Sequence, residues 1–289
     1  MIILNEKANY CEWLAGLAVQ ALIDEVSLTP KPGLVDQLNS GSHDDLTYLM
    51  MIRSAECLKA TFYEMAFEAF QQKASIELRE KFGLIGRIGE EKMLHVTGGV
   101  NTHKGAIWTL GLIVAATAMH YQKSMSLTQL FNQVSELALI EDKKVLQTAS
   151  NGERAIQKYG GYGAKKEAQL GLPHIRKYSY PMLTICKGTE REHWGSHYAL
   201  LILMSNLNDT CILHRAGREG LQLVKLESNR LLQKQQLNEE DFLRLNDLFI
   251  KHRISPGGSA DLLAATFLIA SIIEEKERLD YSMIKEIYS

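Results

Sequence analysis

The chain has 289 residues, 46 % of them hydrophobic and 23 % charged, with a formal net charge of −2. That composition supplies a sizeable core and excludes a broad basic surface for nucleic acid. Five prolines and no Ser/Gly-rich linker point to one all-α domain over residues 1–289. In chain order, residues 8–26 place Cys11, Leu14, Ala18, Ala21 and Leu22 on one helical face. Glu25 falls on that apolar side, where a carboxylate needs a partner or a metal. Thr29-Pro30-Lys31-Pro32-Gly33 then ends the helix. Ser42 is expected to cap the next helix, with Asp44 and Asp45 in its first turn, running through Leu49, Arg53, Glu56 and Ala60. A helix over 74–93 is expected to be interrupted by Gly83, Gly86 and Gly89. After Gly105 the pattern Ala106, Leu110, Ile113, Val114, Thr117 is strongly periodic. Residues 128–148, 196–207 and 238–249 read the same way, and 210–213 and 221–226 are weak strand candidates.

Cys11, Cys57, Cys186 and Cys211 form no C-x-x-C pair, so neither a zinc ribbon nor a disulfide framework is signalled. Reduced thiols and a cytoplasmic location are expected. Residues 1–7 lack the features of a signal peptide. The most apolar stretch, 262–273, falls short of the ~20 residues that span a bilayer, so no membrane association is expected.

Two glycine-rich turns each lead into an apolar helix, Thr97-Gly98-Gly99-Val100-Asn101-Thr102-His103-Lys104-Gly105 and Ser255-Pro256-Gly257-Gly258-Ser259-Ala260-Asp261. A helix start exposes unpaired N–H groups and the positive end of the helix dipole, a natural anion site. The first turn is not a Walker motif, because Gly105 follows Lys104 and no strand precedes it. Ordinary helix capping is the plain alternative at both. If phosphate binds near the second, Asp261 is best cast as a Mg²⁺ ligand. Asp36, His43, Asp44 and Asp45 cluster around a loop and a helix start, as caps or as metal-binding or general-base groups. Glu25 and Glu56 lie one helix away on either side. The Gly160–Lys166 loop reads as a flexible turn or a substrate-closing loop with Lys165 on a phosphate. Asp209 through Gly217 couples an acid to Arg215.

These segments, with Pro30-Lys31-Pro32-Gly33-Leu34-Val35-Asp36 and Asn39-Ser40-Gly41-Ser42-His43-Asp44-Asp45, resemble the signatures of triphosphoribosyl-dephospho-CoA synthases. Weaker echoes occur at 163–168 with 171–173, and at 209–217. The matches keep their order from about Glu25 to Leu268. The resemblance implies transfer of the triphosphoribosyl group of ATP to the 2'-hydroxyl of 3'-dephospho-CoA with loss of adenine. The product is the prosthetic-group precursor of citrate lyase or malonate decarboxylase, whose acyl carrier pathway enzymes act downstream. A homodimer is left open. On this reading Asp36, His43, Asp44 and Asp45 carry catalysis. Lys31, Asn101, Thr102, His103, Lys104, Gly105, Lys165, Arg215, Gly257, Gly258 and Ser259 bind the nucleotide. Glu25, Glu56 and Asp261 hold Mg²⁺. Two departures, Asp44 where a basic residue is expected and Lys165-Lys166 in place of Arg-Gly, leave room for another acceptor. A Mg²⁺-dependent N-glycosidic hydrolase and a non-catalytic nucleotide-binding helical protein are the competing readings.

Overall fold

The computed structural model describes residues 2–121, 125–144 and 150–287, with no β-strand among them. The helices are α1 (Ile2–Ser27), α2 (Tyr48–Cys57), α3 (Lys59–Ala69), α4 (Ile76–Val96), α5 (Lys104–Met119), α6 (Leu127–Leu139), α7 (Asn151–Tyr159), α8 (Ala164–Gln169), α9 (Tyr180–Cys186), α10 (Gly195–Asn206), α11 (Thr210–Leu232), α12 (Glu239–Lys251) and α13 (Gly257–Ile287). A π-turn, Ile175–Ser179, leads directly into α9.

Side-chain caps fix many of the helix starts. Thr47 accepts from the Met50 amide and Ser75 from that of Leu78. Ser126 with Gln129, Ser150 with Glu153 and Asn238 with Asp241 form reciprocal capping boxes, each cap contributing about 1 kcal/mol. Helix α5 is apolar on every side and buried from Ala106 to Met119 except at Trp108, as a central helix must be. Helices α1, α3 and α13 pack around it, and α10 packs on α13 and α11. Truncating Leu110 or Ile113, both fully buried, would cost about 2–5 kcal/mol through lost burial and the cavity left.

Several expectations are corrected here. Ser42 does not cap a helix: residues 41–47 are turn and loop, and the cap is Thr47, because the Ser42 hydroxyl is committed to the Ile254 carbonyl. The glycines of α4 do not interrupt it. At Gly83 a Cβ would lie 1.8 Å from the Asp142 carboxylate, so glycine there admits an approach rather than breaking the helix. The segments 210–213 and 221–226 are helical, both within α11, where Asp209 caps the start through the Cys211 and Ile212 amides. A kink at Gly217, with φ of 67°, joins the two parts of that helix. Helix α6 ends at Leu139, short of Thr148, and residues 145–149 lie outside the described residues. The helical stretch Gly257–Glu275 is long and apolar enough by length and composition to cross a membrane, contrary to the estimate from 262–273 alone; half of it is buried in the fold, against α1, α5 and α10.

Candidate active site at two helix starts

The loop after α1 is folded tightly on itself. Asp36, 2 % exposed, accepts the Lys31 amide at 2.7 Å and those of Leu38 and Asn39 at 2.8 and 3.0 Å. Gly33 has φ of 70°, and a Cβ there would lie 2.3 Å from the Ile254 carbonyl, so only glycine fits. The Gly33 amide donates to Asn246 Oδ1 at 2.9 Å. Glu25 and Lys31, 4 % and 1 % exposed, form an ion pair at 2.5 Å. The buried acid flagged from the sequence therefore has a partner from its own chain.

The end of this loop is clipped to the second glycine-rich turn. Ser42 Oγ donates to the Ile254 carbonyl at 2.6 Å, and Arg215 Nη2 donates to the Ser42 carbonyl at 2.6 Å. Arg215 Nη1 lies 3.3 Å from His43 Nδ1. Arginine only donates, so Nδ1 accepts and His43 Nε2–H faces Ser255 Oγ at 2.8 Å. Burial, then Arg215, holds the His43 pKa below its ordinary 6.5 against the opposing pull of Asp45. Arg215 is thus tied to the loop rather than to Asp209.

At the start of α5, the Thr97 hydroxyl donates to the Val100 carbonyl at 2.6 Å and to that of Met93 at 2.9 Å. His103 is the N-cap residue but makes no side-chain cap bond. Its Nδ1 lies 2.8 Å from Ser54 Oγ, which lies 2.5 Å from Thr102 Oγ1. Its Nε2 is buried without a partner among the described residues. Burial, then the Lys31 charge, pushes the imidazole pKa down to about 3. Asn101 Oδ1 accepts the Lys104 amide at 3.2 Å, and the first helical bond runs from Ile107 N to the His103 carbonyl. The Gly105 and Ala106 amides between them meet no acceptor among the described residues. The Lys104 ammonium pairs with Glu90 on the exposed side.

The start of α13 is different. Asp209, 1 % exposed, accepts the Ser259 amide at 2.8 Å, the Ser259 hydroxyl at 3.0 Å and the Gly258 amide at 3.3 Å. It also holds the Cys211 amide at 2.9 Å. Burial raises the Asp209 carboxyl pKa and these donors pull it back part of the way. One turn along, the Asp261 carboxyl lies against the start of α5: a Cβ on Gly105 would stand 2.0 Å from Asp261 Oδ2. Burial, then the charges of Glu25 and Asp209, raises the Asp261 pKa well above the usual carboxylate range.

The structure thus brings Glu25, Lys31, His103, Gly105 and Asp261 together, with His43 and Arg215 clipping the loop to the Ser255 turn. Gly258 and Ser259 present their amides to Asp209 rather than to open space. Asp36 is turned onto the amides of its own loop. Asp44 and Asp45 are exposed beside His43, and Lys165 is exposed at the start of α8. Glu56 is not with Glu25 and Asp261: it lines a surface depression with Glu12, Lys59 and Tyr63. No group of three or more His, Cys, Asp or Glu side chains is poised around a metal among the described residues. Sequence reasoning missed Ser54 as the partner of His103, Asp209 as the carboxylate on α13 and Asn246 as the acceptor for Gly33. The one legible signal was the acid directly before α11, an N-cap pattern.

Residues 11–279 match CitG: ATP:dephospho-CoA triphosphoribosyl transferase. The chain belongs to this family. Among relatives of the triphosphoribosyl transferase, a Klebsiella pneumoniae protein named 2-(5''-triphosphoribosyl)-3'-dephosphocoenzyme-A synthase is 40 % identical over 262 residues, covering 89 % of this chain and 93 % of the relative. Two proteins given the same name qualified as probable are each 42 % identical: one from Pseudomonas syringae pv. tomato covers 91 % of this chain and 92 % of itself. The other, from Azotobacter vinelandii, covers the same shares. No solved structure matches this triphosphoribosyl transferase.

Proposed function

We propose that this transferase moves the 5-triphosphoribosyl group of ATP onto the 2'-hydroxyl of 3'-dephospho-CoA and releases adenine. The observation that carries this reading is the start of α5, where free Gly105 and Ala106 amides adjoin buried His103 and Lys31 and the carboxyls of Glu25 and Asp261. Helix-start amides and cations suit a triphosphate that is kept through the reaction as a handle. The ribosyl C1–N9 bond breaks with its electron pair going to adenine, which takes up a proton from solvent, and the acceptor oxygen takes its place at C1. Positive charge develops on the sugar, and a nearby carboxylate stabilises it. We assign the acceptor's hydroxyl proton to the exposed carboxylates of Asp44 and Asp45 beside His43. Burial, then the charges of Glu25 and Asp209, raises the Asp261 pKa, and a cation beside it would favour the charged carboxylate. The Glu25 and Asp261 carboxyls would hold Mg²⁺, which when bound neutralises phosphate charge.

The test is purified protein with Mg²⁺, ATP and 3'-dephospho-CoA, followed by chromatography and mass spectrometry. Equal amounts of adenine and a CoA adduct of triphosphoribosyl mass are expected. Adenine with free ribose triphosphate and no adduct would make the protein a hydrolase instead.

A further inference from the structure

His103 combines features that a mere helix cap would not need. It occupies the N-cap position yet caps nothing, it is 3 % exposed, and its Nε2 has no partner among the described residues. A buried polar atom left unpaired costs free energy unless something else meets it. Burial first, and then the Lys31 ammonium, disfavours the imidazolium, so the ring is neutral and carries one proton. Which nitrogen holds it is set by the hydrogen bond at the other.

That other bond is part of a relay. Ser54 Oγ stands 2.8 Å from Nδ1 and 2.5 Å from Thr102 Oγ1. If Thr102 donates to Ser54 and Ser54 to Nδ1, both hydroxyl protons are used and the imidazole proton remains on Nε2. The opposite polarity turns the proton of half-buried Thr102 toward solvent and leaves a bare, buried Nε2 lone pair that no donor meets among the described residues. The first polarity also suits the surroundings. Lys31 and the free amides of Gly105 and Ala106 draw an anion, and an Nε2–H meets an anion where a lone pair would repel it.

We propose that Ser54 and Thr102 fix His103 as a neutral Nε2–H donor to a phosphate oxygen of the triphosphate bound at the start of α5. The proposal rests on the phosphate-site reading above. Ser54 is then a positioning residue that acts through His103, and the imidazole supplies a directed donor whose charge state does not change near neutral pH. Lys31 supplies the charge and His103 the direction.

The variants His103→Gln and His103→Asn separate the two ring positions, because the Gln amide nitrogen reaches toward the Nε2 place and the Asn nitrogen toward the Nδ1 place. Binding of inorganic tripolyphosphate, ATP and adenosine is measured by calorimetry. His103→Asn is expected to weaken tripolyphosphate and ATP by roughly tenfold or more, as loss of a hydrogen bond to a charged group does. His103→Gln should stay within about threefold of the parent on the same scale, and adenosine should bind all three proteins alike. Nitrogen NMR of the parent with tripolyphosphate should show the proton on Nε2, a readout that needs no variant to fold. Ser54→Ala should give mixed tautomers and raise the KM for ATP several-fold, about 1 kcal/mol of binding, with kcat nearly unchanged. A proton on Nδ1 in the parent, equal losses in the Gln and Asn variants, or a loss confined to adenosine would each overturn the proposal. Failure of the parent to release adenine would defeat the transferase reading alone, since the tripolyphosphate titrations and the NMR decide the His103 role separately.

Discussion

Helices α5 and α13 begin in much the same way in sequence, with a glycine-rich turn running into an apolar stretch, and they end up as opposites. At α13 the first amides are met by Asp209, a buried carboxylate from the protein itself. At α5 the N-cap side chain does not cap, and among the described residues the Gly105 and Ala106 amides and His103 Nε2 meet no partner. A helix start thus becomes structural when the chain brings its own anion and receptive when it does not. Asp261 joins the two, rooted in the first turns of α13 and packed against Gly105 of α5.

The comparison can be broken from either end. The largest effect should come from the receptive side. Lys31→Met leaves Glu25 as an unpaired buried charge and should lower unfolding free energy by about 3–5 kcal/mol, while the double variant Glu25→Gln/Lys31→Met recovers most of it. Urea midpoints at constant slope would measure both. On the plugged side, Asp209→Ala removes the carboxylate that five donors share and should cost about 2–4 kcal/mol. Added sulfate should stabilise the variant more than the parent, since the emptied start of α13 becomes a second anion site beside the one at α5. A variant indifferent to sulfate would show that the two helix starts differ in more than the presence of Asp209.

The pH dependence sharpens the contrast. The His103 pKa falls from 6.5 to about 3 on folding, so the unfolded chain binds the proton first. The stability linked to His103 is therefore complete above pH 6.5 and is lost as pH falls toward 3. The slope from one such group is at most about 1.4 kcal/mol per pH unit. His103→Gln should remove it, narrowing the stability difference between about pH 7 and pH 5 by roughly 1–2 kcal/mol. His197, whose pKa burial lowers to about 4, keeps its own acid sensitivity in both proteins. The smallest stability effect belongs to Lys104→Ala. Its pair with Glu90 is exposed and contributes about 0–1 kcal/mol, yet ATP KM should rise several-fold if the ammonium swings onto the phosphates. Unchanged ATP kinetics would remove Lys104 from the phosphate site.

Much of this architecture is legible in the sequence because it is periodic. The apolar face of α1, the apolar run of α5 and the helical stretch of α12 announce themselves, and the glycine turns do open helices. The misreadings share a cause. Ser42 has the composition of a cap, but its hydroxyl bonds a carbonyl 212 residues away, and nothing local predicts that. The aliphatic run at 210–213 looks extended until Asp209 is seen to cap it. Ser54 sits in the middle of α2, where a serine carries no signal of its own. Its role depends on the His103 ring facing it across the site. Of the candidates that scattered, Glu56 stands out by charge and helical nearness but lines a depression with Glu12, and Lys165 stands out in its glycine-rich loop but lies exposed on α8.

The bonds of Ser42 and His43 to Ile254 and Ser255 span 212 residues. They have a consequence for how the protein comes into being. A growing chain presents α1, its loop and α5 long before Ile254 leaves the ribosome, so the loop has nothing to close against and the Asp261 wall of the site does not yet exist. Such distant contacts form late. Nucleotide should therefore reward only the finished polypeptide, and nascent chains halted before α13 should show no protection by ATP against proteolysis.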